Sequence, residues 1–151
     1  MSSEPQWQKN WINIGRRVTE STEALRGIMN DLDKITEIII GCSIEVHKLL
    51  GPGLLESIYE DALCYEFDLN NISYKRQLLL PVFYKSKKLN DFRLDLLVEN
   101  EVIVELKAVN KIEAVFEAQL LSYLKMADKK IGLLINFNVP VLKNGIKRMI
   151  L

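Results

Sequence analysis

The sequence is short of the residues that build covalent or soft-metal frameworks. It holds two cysteines, Cys42 and Cys64, and one histidine, His47. Two thiols cannot complete a four-cysteine zinc or iron–sulfur site. Both lie in apolar, helix-patterned segments, where a free thiol behaves as a small core residue. His47 sits near the apolar face of the same pattern, and a hydrogen-bonded structural role is expected of it. No apolar run approaches the ~20 residues that span a bilayer, and the N-terminus shows no signal-peptide core. The expectation is a cytoplasmic protein with no membrane partner. An excess of either charge is also missing: Lys plus Arg and Asp plus Glu are both 20, so formal net charge is zero. That balance argues against a protein that coats nucleic acid by bulk charge. It leaves room for a local basic groove beside acidic metal ligands. Internal repeats and low-complexity stretches are absent too.

What is present suits one domain: 151 residues, 48% hydrophobic and 26% charged, the balance of an ordinary globular chain. Residues 1–28 stand apart, polar and mixed in charge, with Trp7 and Trp11 one helical turn apart. They are read as an appended, loosely ordered extension, with the domain at 29–151. From Asp31 to Leu50 the apolar positions Ile35, Ile38, Ile39, Cys42, Val46 and Leu49 follow helical spacing. Gly51-Pro52-Gly53 ends that helix. A second helix is expected from about Leu55 to Leu69, closed by Asn70-Asn71, and a strand over 74–84. A third helix is expected over 112–127, a buried strand over Ile131–Phe137 and an edge strand or tail over 145–151.

The centre reads as a hairpin, Phe92–Val98 and Val102–Ala108. Leu94, Leu96 and Val98 form one apolar face; Val102, Val104 and Leu106 form another. Residues directly opposed in an antiparallel pair share a side of the sheet. Matching the apolar faces therefore pairs 98 with 102, 96 with 104 and 94 with 106, around a loop Glu99-Asn100-Glu101 with Asn100 left-handed. The opposite face then carries Asp95 against Glu105 and Arg93 against Lys107. Carboxylates so placed have Cβ atoms ~5 Å apart and repel. A divalent cation would relieve this, since Mg²⁺ takes oxygen ligands and commonly uses one or two carboxylates. The plainer reading is a solvated face on which Arg93 and Lys107 neutralise the acids.

Four motifs in chain order tilt the balance: Gly53-Leu54-Leu55-Glu56-Ser57-Ile58-Tyr59, the Asp95 of Arg93-Leu94-Asp95, Glu105-Leu106-Lys107, and Gln119 with Tyr123 in the last helix. This order resembles the RecB-like branch of the PD-(D/E)XK nucleases and, more closely, the small GxxExxY protein family placed among them. The resemblance runs over about residues 30–151. It includes Glu45-Val46-His47, Gly51-Pro52-Gly53 and Leu133-Leu134-Ile135-Asn136-Phe137. It implies an α/β fold, a mixed central β-sheet flanked by helices with a restriction-endonuclease-like core.

The same resemblance implies an activity: a Mg²⁺- or Mn²⁺-dependent nuclease acting on DNA, with RNA as the second choice. Asp95 and Glu105 would ligate the metal, with the Leu106 carbonyl as a further ligand and Glu56 as an outer or second-metal ligand. Lys107 would orient the attacking water and stabilise charge on phosphate. Gln119 and Tyr123 would steer the nucleic acid or Lys107. Relatives often carry a His just before the Glu-Ala-Gln stretch, where this chain has Phe116. Basic residues, Lys85, Lys87 and Lys88 among them, are read as solvated charges, with a subset flanking the cleft to contact phosphates. A protein partner or a homodimer is expected to complete so small a nuclease. Two rival readings keep the fold without turnover: a silent nucleic-acid-binding module, and a protein-interaction module that docks through residues 1–28.

Overall fold

The computed structural model describes the backbone of residues 6–151 and the side chains of residues 19–151. The side chains of Trp7 and Trp11 lie outside the described residues. The chain groups into two units, residues 1–34 and 35–151. Helix α1 (Gln6–Leu50) supplies the described part of the first unit and opens the second. The helix expected from Asp31 has no boundary there, because no proline falls between Pro5 and Pro52 to interrupt it. Its end is the expected one. Gly51 adopts φ 68°, and its N–H donates to the His47 carbonyl at 2.8 Å, a left-handed C-terminal closure that suits glycine.

Helix α2 (Glu56–Leu69) follows and stops at Asn70, with Asn71 left-handed at φ 55°. Strands β1 (Tyr74–Leu80), β4 (Phe92–Val98), β5 (Val102–Lys107), β6 (Ile131–Asn136) and β7 (Ile146–Ile150) make one sheet, ordered β1-β4-β5-β6-β7. All neighbours are antiparallel except β5 and β6, which helix α3 (Ala114–Ala127) connects. This is the expected mixed sheet flanked by helices. The expected strand over 74–84 is shorter. It ends at Leu80, before Pro81, and β2 (Phe83–Tyr84) with β3 (Lys87–Lys88) forms a separate hairpin.

The core sits where the pattern is most continuous. Every residue of β6 is buried, and every residue of β5 except Lys107 is too, as in a parallel pair covered on both faces. Helix α3 lays Leu120 and Leu124 over Leu94, Leu97, Ile103 and Leu134. It packs so closely that a Cβ on Gly132 would meet Leu120 Cδ1 at 2.8 Å. Elsewhere Tyr59 stacks on Phe137 with ring centroids 4.5 Å apart. His47 Nε2 lies 2.8 Å from the Val139 carbonyl, the structural role expected of it. Cys42 and Cys64 are buried free thiols.

Candidate functional site

The β4–β5 hairpin keeps the expected register from Val98–Val102 through Leu97–Ile103 to Leu96–Val104. There the paired register ends, and the expected Leu94–Leu106 pair is not made. Side chains replace the backbone ladder: the Leu106 N–H donates to Asp95 Oδ2 at 2.9 Å, and the Asp95 N–H donates to Glu105 Oε1 at 3.2 Å. Each carboxylate thus occupies the place of a carbonyl of its own strand, and the two strands part around them. Beyond this point β4 continues only with β1, to Phe92–Leu80, and β5 only with β6, to Lys107–Asn136.

Glu105 is only 5% exposed. Burial first, then repulsion from Asp95, pushes its carboxyl up to about 8; the Asp95 N–H and Lys107 pull the other way. Neither Arg93 nor Lys107 makes an ion pair with these acids among the described residues, so the neutralised face of the plainer reading is not formed. The Lys107 ammonium instead lies 4.6 Å from the centre of the Phe116 ring, a cation–π arrangement.

Glu56 opens α2, one turn before Tyr59. The Tyr59 hydroxyl donates to the Gly51 carbonyl at 2.6 Å and accepts from the Leu54 N–H at 3.1 Å. That bracket fixes the loop in which Gly53 takes φ 95°. It explains the Gly-x-x-Glu-x-x-Tyr spacing: the tyrosine holds the turn that delivers the glutamate. The Glu56 carboxyl is raised, by burial first and then by Asp95, while Lys107 lowers it. Glu56 therefore feels the field of the hairpin site. Among the described residues, however, no group of three Asp, Glu, His or Cys side chains is close enough to enclose a metal ion. The Tyr123 hydroxyl is also raised, by burial and then by Glu105 and Asp95, with a Gln119 hydrogen bond acting against the shift. Tyr123 stacks on Phe92, centroids 4.8 Å apart.

Three residues at the site were not foreseen. Glu60, buried one turn after Glu56, accepts from Arg76 at 2.9 Å and from Gln77 at 2.7 Å, tying α2 to β1. Gln77 also reaches toward Asp95 Oδ1, at 3.5 Å. It does so with φ 49° in mid-strand, a conformation that costs a side-chain-bearing residue ~1–2 kcal/mol. Asn136, buried in β6, donates to the Val109 carbonyl at 2.8 Å and accepts the Val109 N–H at 3.1 Å. It anchors the chain just after Lys107. The signals available were the spacing of Glu56 and Glu60, four residues on one helix face, and the polar Asn136 inside an apolar run.

The donor set suits a hard divalent cation. Asp95 and Glu105 offer oxygen only, and Mg²⁺ commonly takes one or two carboxylates and keeps water for the rest. Burial beside Asp95 disfavours the ionised form of Glu105, and a bound cation would relieve that cost. The profile of the PD-(D/E)XK nuclease superfamily matches residues 33–149. The chain belongs to this superfamily. No curated protein and no solved structure matches it. PD-(D/E)XK nucleases typically use divalent metals, and the carboxylate pair lies within the matched residues. No helix among the described residues is long and apolar enough to cross a membrane.

Proposed function

We propose that this chain is a Mg²⁺- or Mn²⁺-dependent phosphodiesterase of the GxxExxY type that hydrolyses DNA, with RNA as the alternative substrate, in the cytoplasm. One observation carries the reading. Asp95 and Glu105 face each other where β4 and β5 part, each held by a backbone N–H of the opposite strand and neither ion-paired. Acids arranged for stability alone would be paired or solvated; a buried carboxyl held near 8 is a group waiting for charge.

Asp95 and Glu105, with the Leu106 carbonyl, would hold the cation, and Glu56 would serve as an outer ligand through water. When bound, the ion supplies Lewis-acid polarisation of the phosphate and a water of lowered pKa. Lys107 would meet a phosphate oxygen or the attacking water, since its ammonium rests on the Phe116 ring and is ion-paired to no acid among the described residues. Gln119 and Tyr123 on α3 would direct the nucleic acid, a role supported by the influence of Glu105 and Asp95 on the Tyr123 hydroxyl. Glu60, Gln77 and Asn136 position the elements without touching substrate.

The test is cleavage of single-stranded, double-stranded and branched DNA, and of RNA, with and without Mg²⁺ or Mn²⁺, using Glu105→Ala as control. Metal-dependent cleavage that Glu105→Ala abolishes is the expected result. Binding without cleavage under every metal would point to a silent binding module, and cleavage retained by Glu105→Ala would reject the site.

A further inference from the structure

Between Leu80 and Phe92 the chain leaves the main sheet to form the β2–β3 hairpin. Phe83 pairs with Lys88 and Tyr84 with Lys87, which leaves Lys85-Ser86 as a two-residue turn. Both turn residues have positive φ, 48° and 69°. Turns of this type favour Asn-Gly, yet this one carries a lysine and a serine at a backbone cost. The base is closed by the Leu89 N–H on the Val82 carbonyl at 2.8 Å.

The tip combines exposed rings with local positive charge. Phe83 and Tyr84 are each 62% exposed and, as successive strand residues, point to opposite faces. The Lys85 ammonium lies 5.6 Å from the centre of the Tyr84 ring. Segment 81–91 holds Lys85, Lys87 and Lys88 against Asp91, a net of 3 − 1 = +2 in a chain whose formal total is zero. Lys88 is shared with Asp91 at 3.8 Å; among the described residues no such acid meets Lys85 or Lys87.

The hairpin grows from the Leu80–Phe92 end of the β1–β4 pair, the end at which β4 has parted from β5. Asp95 is three residues along β4 from Phe92, ~10 Å at strand rise. The Phe92 ring, stacked on Tyr123, lies between the hairpin and the carboxylates in the chain. Unpaired bases offer faces to stack on aromatic rings, and their phosphates offer charge to ammonium groups. A duplex keeps its base faces covered.

We propose that the Phe83–Lys88 hairpin is an arm that holds single-stranded nucleic acid at the open end of the carboxylate site, with bases stacked on Phe83 and Tyr84 and phosphates on Lys85 and Lys87. This rests on the nuclease reading above and adds a strand preference to it.

The experiment measures fluorescence anisotropy of a labelled, mixed-sequence oligodeoxynucleotide in EDTA, so that binding is read without cleavage. The matching RNA strand and the blunt DNA duplex are measured in parallel. Phe83→Ala/Tyr84→Ala should weaken single-strand binding about tenfold or more and leave duplex binding unchanged. Phe83→Trp/Tyr84→Trp should bind like the wild type or tighter, which separates lost stacking from a misfolded hairpin. Lys85→Ala/Lys87→Ala should reduce the slope of log affinity against log salt by about 1.4, or 0.7 for each phosphate released. The same losses on RNA support the arm, because stacking and phosphate contact are common to both strands. Unchanged single-strand binding by Phe83→Ala/Tyr84→Ala, an equal loss on the duplex, or a wild type that binds no single strand would each overturn it. Cleavage is scored separately. If the wild type cleaves while the alanine variant binds normally, the arm alone falls; if the wild type binds through the arm and cleaves nothing, the hydrolytic reading falls and the arm stands.

Discussion

The Lys107 ammonium sits 4.6 Å from the centre of the Phe116 ring, and no carboxylate among the described residues pairs with it. A ring orients an ammonium without neutralising it, which suits a lysine needed to meet phosphate. Phe116→Leu keeps the packing of the helix but removes the ring. It should slow metal-dependent cleavage about two- to thirtyfold, the span of a cation–π contact from exposed to desolvated. Phe116→Tyr should restore the rate. Single-turnover cleavage measures both, and equal rates for Leu and Phe would show that the ring does not position Lys107.

The pH dependence of stability should run against the usual carboxylate pattern. Glu105 rises from an ordinary value of 4.5 to about 8 in the folded chain. Between those values the folded state binds more protons than the unfolded state, so stability falls as pH rises. The loss should begin near the lower value and level off above the upper one. Melting curves in EDTA across this range should show the decline, and Glu105→Gln should flatten it. A wild-type midpoint that climbs with pH through this window would contradict a buried carboxyl raised by burial and by Asp95.

Asp95→Asn should separate a metal site from a structural ion pair. The amide retains an oxygen that can accept the Leu106 N–H and removes the charge that repels Glu105. The metal-free variant should therefore be as stable as the wild type or more so. Mg²⁺ or Mn²⁺ should stabilise the wild type by ~2.7 kcal/mol at a hundredfold excess over the dissociation constant and should do little for the variant. Thermal shift with and without metal reads both effects. A strongly destabilised metal-free variant would make Asp95 structural.

The parts that sequence made legible were those set by a local rule. Alternation indicated the register of Leu96 with Val104 and of Val98 with Val102, because a one-residue slip would exchange the two faces and move Asp95 and Glu105 out of step with each other. Gly51 and Asn71 marked helix ends because few other residues accept a positive φ. Alternation tells which face a residue takes, but not whether two strands stay paired, so the opening at Asp95 and Glu105 was invisible. The β2–β3 hairpin was missed because Lys85-Ser86 lacks the Asn-Gly signature of its turn type. The tether from Glu60 to Arg76 and Gln77 joins residues far apart in sequence, where no periodicity speaks.

A chain that starts at Met29 should keep its melting midpoint within the error of the measurement. The family profile begins at residue 33, and the unit that contains the whole sheet and the carboxylate pair is 35–151. Calorimetry of the full and shortened chains tests this. A fall of many degrees would mean that residues 1–28 contribute to the fold, including Trp7 and Trp11.

Gln77 gives a test in which the sign alone decides. In an ordinary strand interior, glycine is less stable than alanine by ~0.5–1 kcal/mol because it loses more backbone freedom on folding. At Gln77 the backbone is left-handed, φ 49°, where a Cβ is penalised by ~1–2 kcal/mol. Both Gln77→Gly and Gln77→Ala lose the bond to Glu60, so that loss cancels when the two are compared with each other. Gln77→Gly should then be the more stable variant, a reversal of the strand rule. Both should cleave more slowly than the wild type, since neither can hold α2 through Glu60 or reach Asp95. Denaturant unfolding gives the stabilities, and cleavage under saturating metal gives the rates. If alanine proves the more stable, β1 is extended at Gln77, and the strained turn of the chain beside Asp95 is not part of the site.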